Sequence, residues 1–327
     1  MANLLEVEGL TVDIAMRGGP LHAVRDVTLS INRGETLGLV GESGCGKSMT
    51  LLALMGLLPK RAEVKARRLL LGGRDLLAVS KAGMSEIRGS QMTMIFQEPM
   101  TSLNPSYTIG NQLIEVIRRH KAVTRAQAKD RAVFLLEKVG IAGASARLNR
   151  YPHELSGGLR QRVMIAMALM CGPELIVADE PTTALDVTVQ AQILNLLGDL
   201  RREFNMALIM VTHDLGIIAR TTDNVAVMYA GEIVEWGRTS EVFAAPKHPY
   251  TRALLDCIPV PGRVHAGQRL GSIRGTVPSL QGELSGCAFR ARCGHARDEC
   301  RSEHLGLNSS DSLHDFRCIL KPKELVV

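Results

Sequence analysis

The chain has 327 residues, enough for one large domain or for a domain of about 250 residues with a smaller appendage. It is 46% hydrophobic, 22% charged and only 3% aromatic, which suits an α/β core and excludes the stacking platforms of single-stranded nucleic-acid binders. The net charge of +6 is spread along the chain without a block of five like charges, as a solvated face or contact with acidic surfaces would give, so no nucleic-acid partner is expected.

Leu5–Ile14 and Ala23–Ile31 alternate apolar and polar residues and predict half-buried strands of an antiparallel layer, joined by a turn at Arg17–Pro20. Asn32–Glu35 turns the chain into a short apolar strand (Leu37, Leu39, Val40). That strand leads into Gly41-Glu42-Ser43-Gly44-Cys45-Gly46-Lys47-Ser48, and a helix over Met49–Leu58, stopped by Pro59, leads out. Every fixed position of G-x-x-x-x-G-K-S is filled between a strand and a helix, the setting of a phosphate-binding loop. Glycines such as Gly41, Gly44 and Gly46 let backbone N–H groups, Ser43 and Cys45 among them, converge on an anion, and the helix N-terminus adds positive potential. Lys47 is placed to reach the terminal phosphates and the Ser48 hydroxyl to ligate Mg²⁺, so the chain is read as binding a nucleoside triphosphate. The helix terminus can lower the Cys45 thiol pKa, but small residues are tolerated at that position and an incidental cysteine is the stronger reading.

A basic, irregular stretch over Lys60–Arg74 precedes a buried strand at Met92–Gln97 and a loop holding Pro99 and Pro105. Thr108–Gly172 is mostly helical by period, as in Gln112–Arg119 and Ala126–Val139. Within it, Ser156-Gly157-Gly158 opens a helix with bare amides suited to an anion. Glu174–Asp179 is a continuous apolar strand followed by Glu180. Behind a phosphate loop, Asp179 is expected to hold Mg²⁺ beside Ser48, and Glu180 to polarise an attacking water. Val187–Asn205 reads as an amphipathic helix, Ala207–Thr212 as a buried strand ending at His213 and Asp214, and Val225–Trp236 as a hairpin about Ala230-Gly231. Strands that are apolar throughout and separated by helices predict a parallel sheet covered on both faces, with Lys47, Gln97, Asp179, Glu180 and His213 past the C-terminal ends of its strands.

Pro259–Gly286 holds six Gly and three Pro and reads as a linker. The tail beyond it carries Cys287, Cys293, Cys300 and Cys318, spaced C-x5-C-x6-C-x17-C. Four thiols in a short polar tail favour a metal, and spacing alone leaves Zn²⁺ and an iron–sulfur cluster open. No apolar run approaches the ~18 residues that span a bilayer, and Met1–Glu6 lacks the pattern of a signal peptide. The chain is therefore expected to be cytosolic, with any membrane role carried by partners.

Taken in order, Gly41–Ser48, Gln97, Leu155–Gln161, Leu175–Glu180, Ala184-Leu185-Asp186 and His213 resemble the motifs of ATP-binding subunits of ABC transporters, over about residues 5–258. A narrower resemblance, carried by Phe96–Pro105, His248-Pro249-Tyr250-Thr251 and the four-Cys tail, is to the ATPase subunits of bacterial peptide importers; nickel importers share much of the pattern. The resemblance implies a P-loop NTPase fold of the ABC type: a mixed sheet core, an antiparallel β subdomain and a helical subdomain about 99–172. It implies an ATP-binding domain over 1–258, the linker 259–286 and a Cys-rich extension over 287–327. It implies ATP and Mg²⁺ held by the loop, with Gln97 beside the metal, His213 near the γ-phosphate, and Ser156, Gly157 and Gly158 offered to the nucleotide of a second ATPase subunit, often a different but similar chain. The Gln97–Pro105 segment would meet the transmembrane partner; two permease subunits would complete the assembly, and an extracytoplasmic solute-binding protein would act indirectly. The protein would then sit at the cytoplasmic face of the bacterial inner membrane. For the cysteines the resemblance favours [4Fe–4S], with zinc the alternative. The family commonly stacks adenine on an upstream aromatic residue, yet no Phe, Tyr or Trp precedes Phe96, leaving Met16, Arg17 or His22 for the base. ATP and GTP are accordingly expected to serve similarly. A nickel or other small-solute importer would carry the same motifs. A soluble ATPase of the superfamily would add a second ATPase unit or long coiled-coil insertions, and neither is present in the sequence.

Overall fold

The computed structural model describes residues 3–98, 102–183, 185–258, 271–282, 285–301, 305–307 and 314–320. It divides into two compact units, the first formed by residues 1–31, 36–77 and 211–327, the second by 32–35 and 78–210. Pro99–Thr101 of the proposed permease-facing segment, Ala184 of the Ala184–Asp186 motif and residues 259–270 of the expected linker lie outside the described residues.

In the first unit, β1 (Leu5–Ile14) pairs antiparallel with β2 (Leu21–Ile31), Leu5 facing Ile31 and Ile14 facing Leu21. Alternation buries Leu5 and Val7, then Leu10, Val12 and Ile14, the phase stepping by one residue at Gly9, where φ is 64° and the register with β2 shifts. β3 (Thr36–Val40) is buried at every residue and runs into the loop before the helix Lys47–Leu54. The stretch expected to be irregular instead forms β4 (Ala62–Lys65), β5 (Arg68–Leu71) and β6 (Arg74–Asp75), which extend the layer in the order β2-β1-β5-β6, with β4 also on β1. Exposed Lys and Arg hide the pattern there, while Leu69 and Leu71 carry the burial. β4 and β6, at the side of the layer away from β2, are short and carry charged residues, which protects that edge from further pairing.

In the second unit, β7 (Met92–Ile95) pairs parallel with β8 (Leu175–Asp179), and β9 (Ala207–Val211) lies on the other side of β8. Its helices start where side-chain caps satisfy the first amides. Thr108 accepts from the Asn111 N–H before Ile109–His120, and Thr124 with Gln127 closes a capping box before Arg125–Lys138. Ser156 caps Gly157–Ala168, and Asp186 caps Val187–Phe204. Their apolar faces gather Leu113, Ile117, Leu135, Ile165 and Leu197 with Ile176 of β8 in one core. Each such side chain contributes roughly 1.5–3 kcal/mol on burial.

The chain returns to the first unit as the hairpin β10 (Asn224–Tyr229) and β11 (Glu232–Arg238), turned by Ala230 and Gly231, both at positive φ as a tight primed turn requires. β10 runs parallel to β3, and β12 (His314–Phe316) closes on β11, giving the order β12-β11-β10-β3. Residues 271–282 of the expected linker lie on this unit: the His22 N–H donates to the Leu280 carbonyl at 2.8 Å, and Ile273 and Val277 join the core of Tyr229, Tyr250 and Phe289. Among the described residues no helix is long and apolar enough to cross a membrane.

Glu235 of β11 is fully buried and accepts from the Lys247 and His248 N–H groups at 2.6 and 2.9 Å, with His314 Nε2 at 2.7 Å. His248 caps the helix Pro249–Asp256 by accepting the Tyr250 N–H at Nδ1, which requires the neutral ring. Burial pushes His248 down to about 4, Glu235 opposing and Arg317 assisting. The unfolded chain therefore takes up a proton between about pH 6.5 and 4 that the folded chain refuses, so stability present above that window is lost as pH falls through it, by on the order of 3 kcal/mol. Denaturant titrations at pH 7 and 4.5 should show a smaller acid loss in His248→Asn than in the parent; equal losses would remove His248 from the effect.

Candidate functional site

The phosphate loop belongs to the first unit. Three of its glycines hold positive φ: Gly41 at 153°, Gly44 at 78° and Gly46 at 107°. At Gly41 a Cβ would collide with the Met228 carbonyl, and at Gly46 it would stand 2.5 Å from the Ala23 carbonyl, so both positions require glycine. Lys47 is almost wholly buried, its ammonium donating to the carbonyls of Gly41 at 2.8 Å and Glu42 at 3.0 Å. Ser43, Gly44 and Ser48 are exposed along the rim of the turn. The helix Lys47–Leu54 has Gly46 at its cap with no side-chain acceptor, which leaves its first amides for an anion.

Cys45 does not carry the lowered thiol pKa that a helix terminus can give. It is fully buried, and burial pushes its thiol up despite the nearby Lys47 ammonium. The low dielectric opposes the thiolate more than the loop's positive potential favours it. Iodoacetamide at neutral pH should leave Cys45 unlabelled in the folded chain and label it after denaturation; rapid native labelling, read by peptide mass, would contradict this burial.

His213 is exposed just after β9, and the next residue, Asp214, caps Leu215–Thr221 by accepting from the Gly216 and Ile217 N–H groups. Of the candidates for the base, His22 Nδ1 lies 2.6 Å from Asp13, and Met16 is about half exposed.

In the second unit, the parallel pairing of β7 and β8 brings the residues just past each strand to the same end. Gln97 Nε2 donates to Glu180 Oε2 at 3.1 Å, and Thr183 Oγ donates to the same oxygen at 2.7 Å. Glu180 adopts φ 46°, a strained backbone for a non-glycine residue and one found at functional positions. Asp179 is buried at the end of β8. Thr183 is not among the residues that the sequence motifs single out; its spacing three residues after Glu180 is the local signal that could have found it. Ser156 and Gly157 are exposed at the start of their helix, Ser156 Oγ accepting the Leu159 N–H at 3.4 Å, while Gly158 faces Val189 closely. A cavity of about 650 Å³ in this unit is lined by Phe96, Ser102, Asn104, Tyr107, Met164 and Met167 among others. Phe96 and Tyr107 are 40% and 53% exposed, so the apolar wall is open to solvent.

Cys287, Cys293, Cys300 and Cys318 all belong to the first unit and carry no disulfide. Burial pushes Cys287 up to about 11, with the Cys300, Cys318 and Cys293 thiols adding to the shift. Burial likewise raises Cys293 and Cys318. The Arg297 and Leu320 N–H groups each point at a sulfur, of Cys300 and Cys318, at 3.5 Å. Against the expectation of a metal in the tail, among the described residues no group of three or more His, Cys, Asp or Glu is disposed to hold a metal ion.

The sequence matches the family described as ABC transporter over residues 24–183 and the oligopeptide/dipeptide transporter C-terminal region over residues 234–300. It is 46% identical to the dipeptide transport ATP-binding protein DppD of Escherichia coli K12, over 96% of each chain. It is 48% identical to the oligopeptide transport ATP-binding protein OppD of Salmonella typhimurium, over 91% of this chain and 88% of that one. Among solved structures it is similar to cbiO1 from Clostridium perfringens, part of the ABC transporter complex cbiONQ, with a TM-score of 0.64, 28% identity and coverage of 75% of this chain and 92% of that one. A dimeric, post-hydrolysis ATP-binding cassette bound to ADP and Pi gives a TM-score of 0.63 at 26% identity, over 72% of this chain and 98% of that one.

Proposed function

This chain belongs to the ATP-binding subunits of ABC transporters, in the group that carries the oligopeptide/dipeptide transporter C-terminal region, and from that membership we propose that it powers import of di- and oligopeptides. Its fold is the P-loop ATPase fold of that family, with a mixed sheet and helices. The observation that carries the peptide assignment is the near-full-length identity with two peptide-transport ATPases, including their C-terminal region.

In this reading the Gly41–Ser48 loop and Lys47 bind the triphosphate of ATP. Ser48 and Asp179, with Gln97, hold Mg²⁺. Glu180 takes the proton of the attacking water, and His213 senses the γ-phosphate. Ser156, Gly157 and Gly158, exposed or half-exposed at a helix start, complete the nucleotide site of a second ATPase subunit. The Gln97–Pro105 segment, beside the open cavity behind Phe96 and Tyr107, meets the transmembrane partner; two permease subunits bring the chain to the cytoplasmic face of the inner membrane, while a solute-binding protein delivers the peptide outside. Residues 287–327 form the Cys-rich extension. Four cysteines are the donor number that a [4Fe–4S] cluster takes, and on the resemblance of the tail we assign them to that cluster in preference to zinc, although the described residues hold no preformed group of three ligands. Anaerobically purified protein should then be brown and contain iron and sulfide; colourless, iron-free protein removes the cluster.

Membrane vesicles holding the intact transporter test the whole reading. ATP hydrolysis should rise when peptide-loaded binding protein is enclosed, and fall with Glu180→Gln. Stimulation by nickel and not by peptide would move the chain to the sister group, and no dependence on either would overturn the importer reading.

A further inference from the structure

The C-terminal segment reaches the phosphate loop directly. Arg292, between Cys287 and Cys293, meets Glu42 of the loop with a two-pronged fork: Nη1 lies 2.6 Å from Oε2 and Nη2 2.9 Å from Oε1. The Arg292 side chain is only 4% exposed. Its Nε donates to the Arg274 carbonyl at 2.8 Å, and its Cζ lies 5.8 and 6.0 Å from the centroids of the Tyr229 and Phe289 rings. Those contacts aim the guanidinium without help from Glu42. From the same C-terminal part of the chain, the fully buried Tyr250 hydroxyl accepts the Glu42 N–H at 2.9 Å. The Glu42 carbonyl is in turn one of the acceptors of Lys47. One residue of the loop is thus held at its side chain, its amide and its carbonyl, two of the three holds coming from beyond residue 248.

Glu42 places a carboxylate on a loop whose task is to gather a polyanion. An unpaired carboxylate there opposes phosphate, and it can turn toward the ligand side. We propose that Arg292 is a positioning residue for nucleotide binding: it neutralises Glu42, holds it away from the anion and so lets the C-terminal segment set the affinity of the phosphate loop. The inference rests on the reading of Gly41–Ser48 as an ATP site, and it gives the His248–Thr251 motif a purpose, since its helix cap fixes the backbone that carries Tyr250.

Equilibrium titration of the full chain with Mg²⁺ and ATP, beside thermal unfolding of each variant, tests it. Arg292→Gln should weaken ATP binding about tenfold, and adding Glu42→Gln to that variant should recover most of the loss, because the opposing charge is gone. Arg292→Lys, which keeps charge but loses the fork, should fold like the parent and bind about threefold more weakly. Arg292→Gln binding within twofold of the parent, no recovery in the double variant, or unchanged affinity in Arg292→Lys would each overturn the proposal. A parent chain that does not bind ATP would instead sink the reading beneath it.

Discussion

Glu180→Gln is expected to lower ATP turnover by at least about a hundredfold while ATP binding stays within a few-fold of the parent, the loss general-base removal produces. Two donors, Gln97 and Thr183, converge on one carboxylate oxygen and fix the group's orientation. The amide of Gln can present its own oxygen to both donors, so the local geometry survives and the base does not. The backbone at φ 46° is already strained and stays so in both forms, which confines the difference to the side chain. Phosphate release and ATP binding, measured on the same preparation, check this. Turnover within tenfold of the parent would move the base to another residue.

Gly46→Ala should abolish ATP binding, weakening it by more than about a hundredfold. A Cβ at φ 107° carries about 1–3 kcal/mol of backbone strain before any contact is considered. It would also stand 2.5 Å from the Ala23 carbonyl, a backbone atom that cannot rotate away. Relief can come only by moving the loop or the start of β2, and the loop carries the amides proposed to bind phosphate. Gly44→Ala is the contrast. Its φ of 78° is strained as well, but nothing lies within 4 Å of the added Cβ, so the expected stability loss is about 1 kcal/mol and the fold is kept. Parallel ATP titrations and unfolding curves separate the two. Equal ATP affinity in Gly46→Ala and the parent would mean that the loop does not hold the nucleotide.

The phosphate loop, the Asp179–Glu180 strand end and the hairpin at Ala230-Gly231 are legible in the sequence because each is a local pattern: a strand, a fixed turn chemistry and a helix within a dozen residues. The Lys60–Arg74 strands are not, because short edge strands expose charged side chains and show too few apolar positions to set a period. The Cys45 thiol escapes sequence reasoning for a different reason. Helix-terminus potential can be read from sequence, whereas the desolvation that outweighs it depends on how the folded loop buries the sulfur beside Gly41. The Arg292–Glu42 contact joins residues 250 positions apart, and no window of sequence contains it. Long-range charge pairs are set by the folded backbone, so their partners emerge only when the tail is seen against the loop.

Uptake in cells carrying Glu180→Gln in place of the parent chain tests the central claim most directly. Labelled di- and oligopeptides and nickel are offered in parallel, with ATP binding by the variant verified separately. Loss of peptide uptake with nickel uptake intact is the predicted result. Peptide uptake unchanged in a variant that still binds ATP would contradict the assignment of this chain as the motor of a peptide importer.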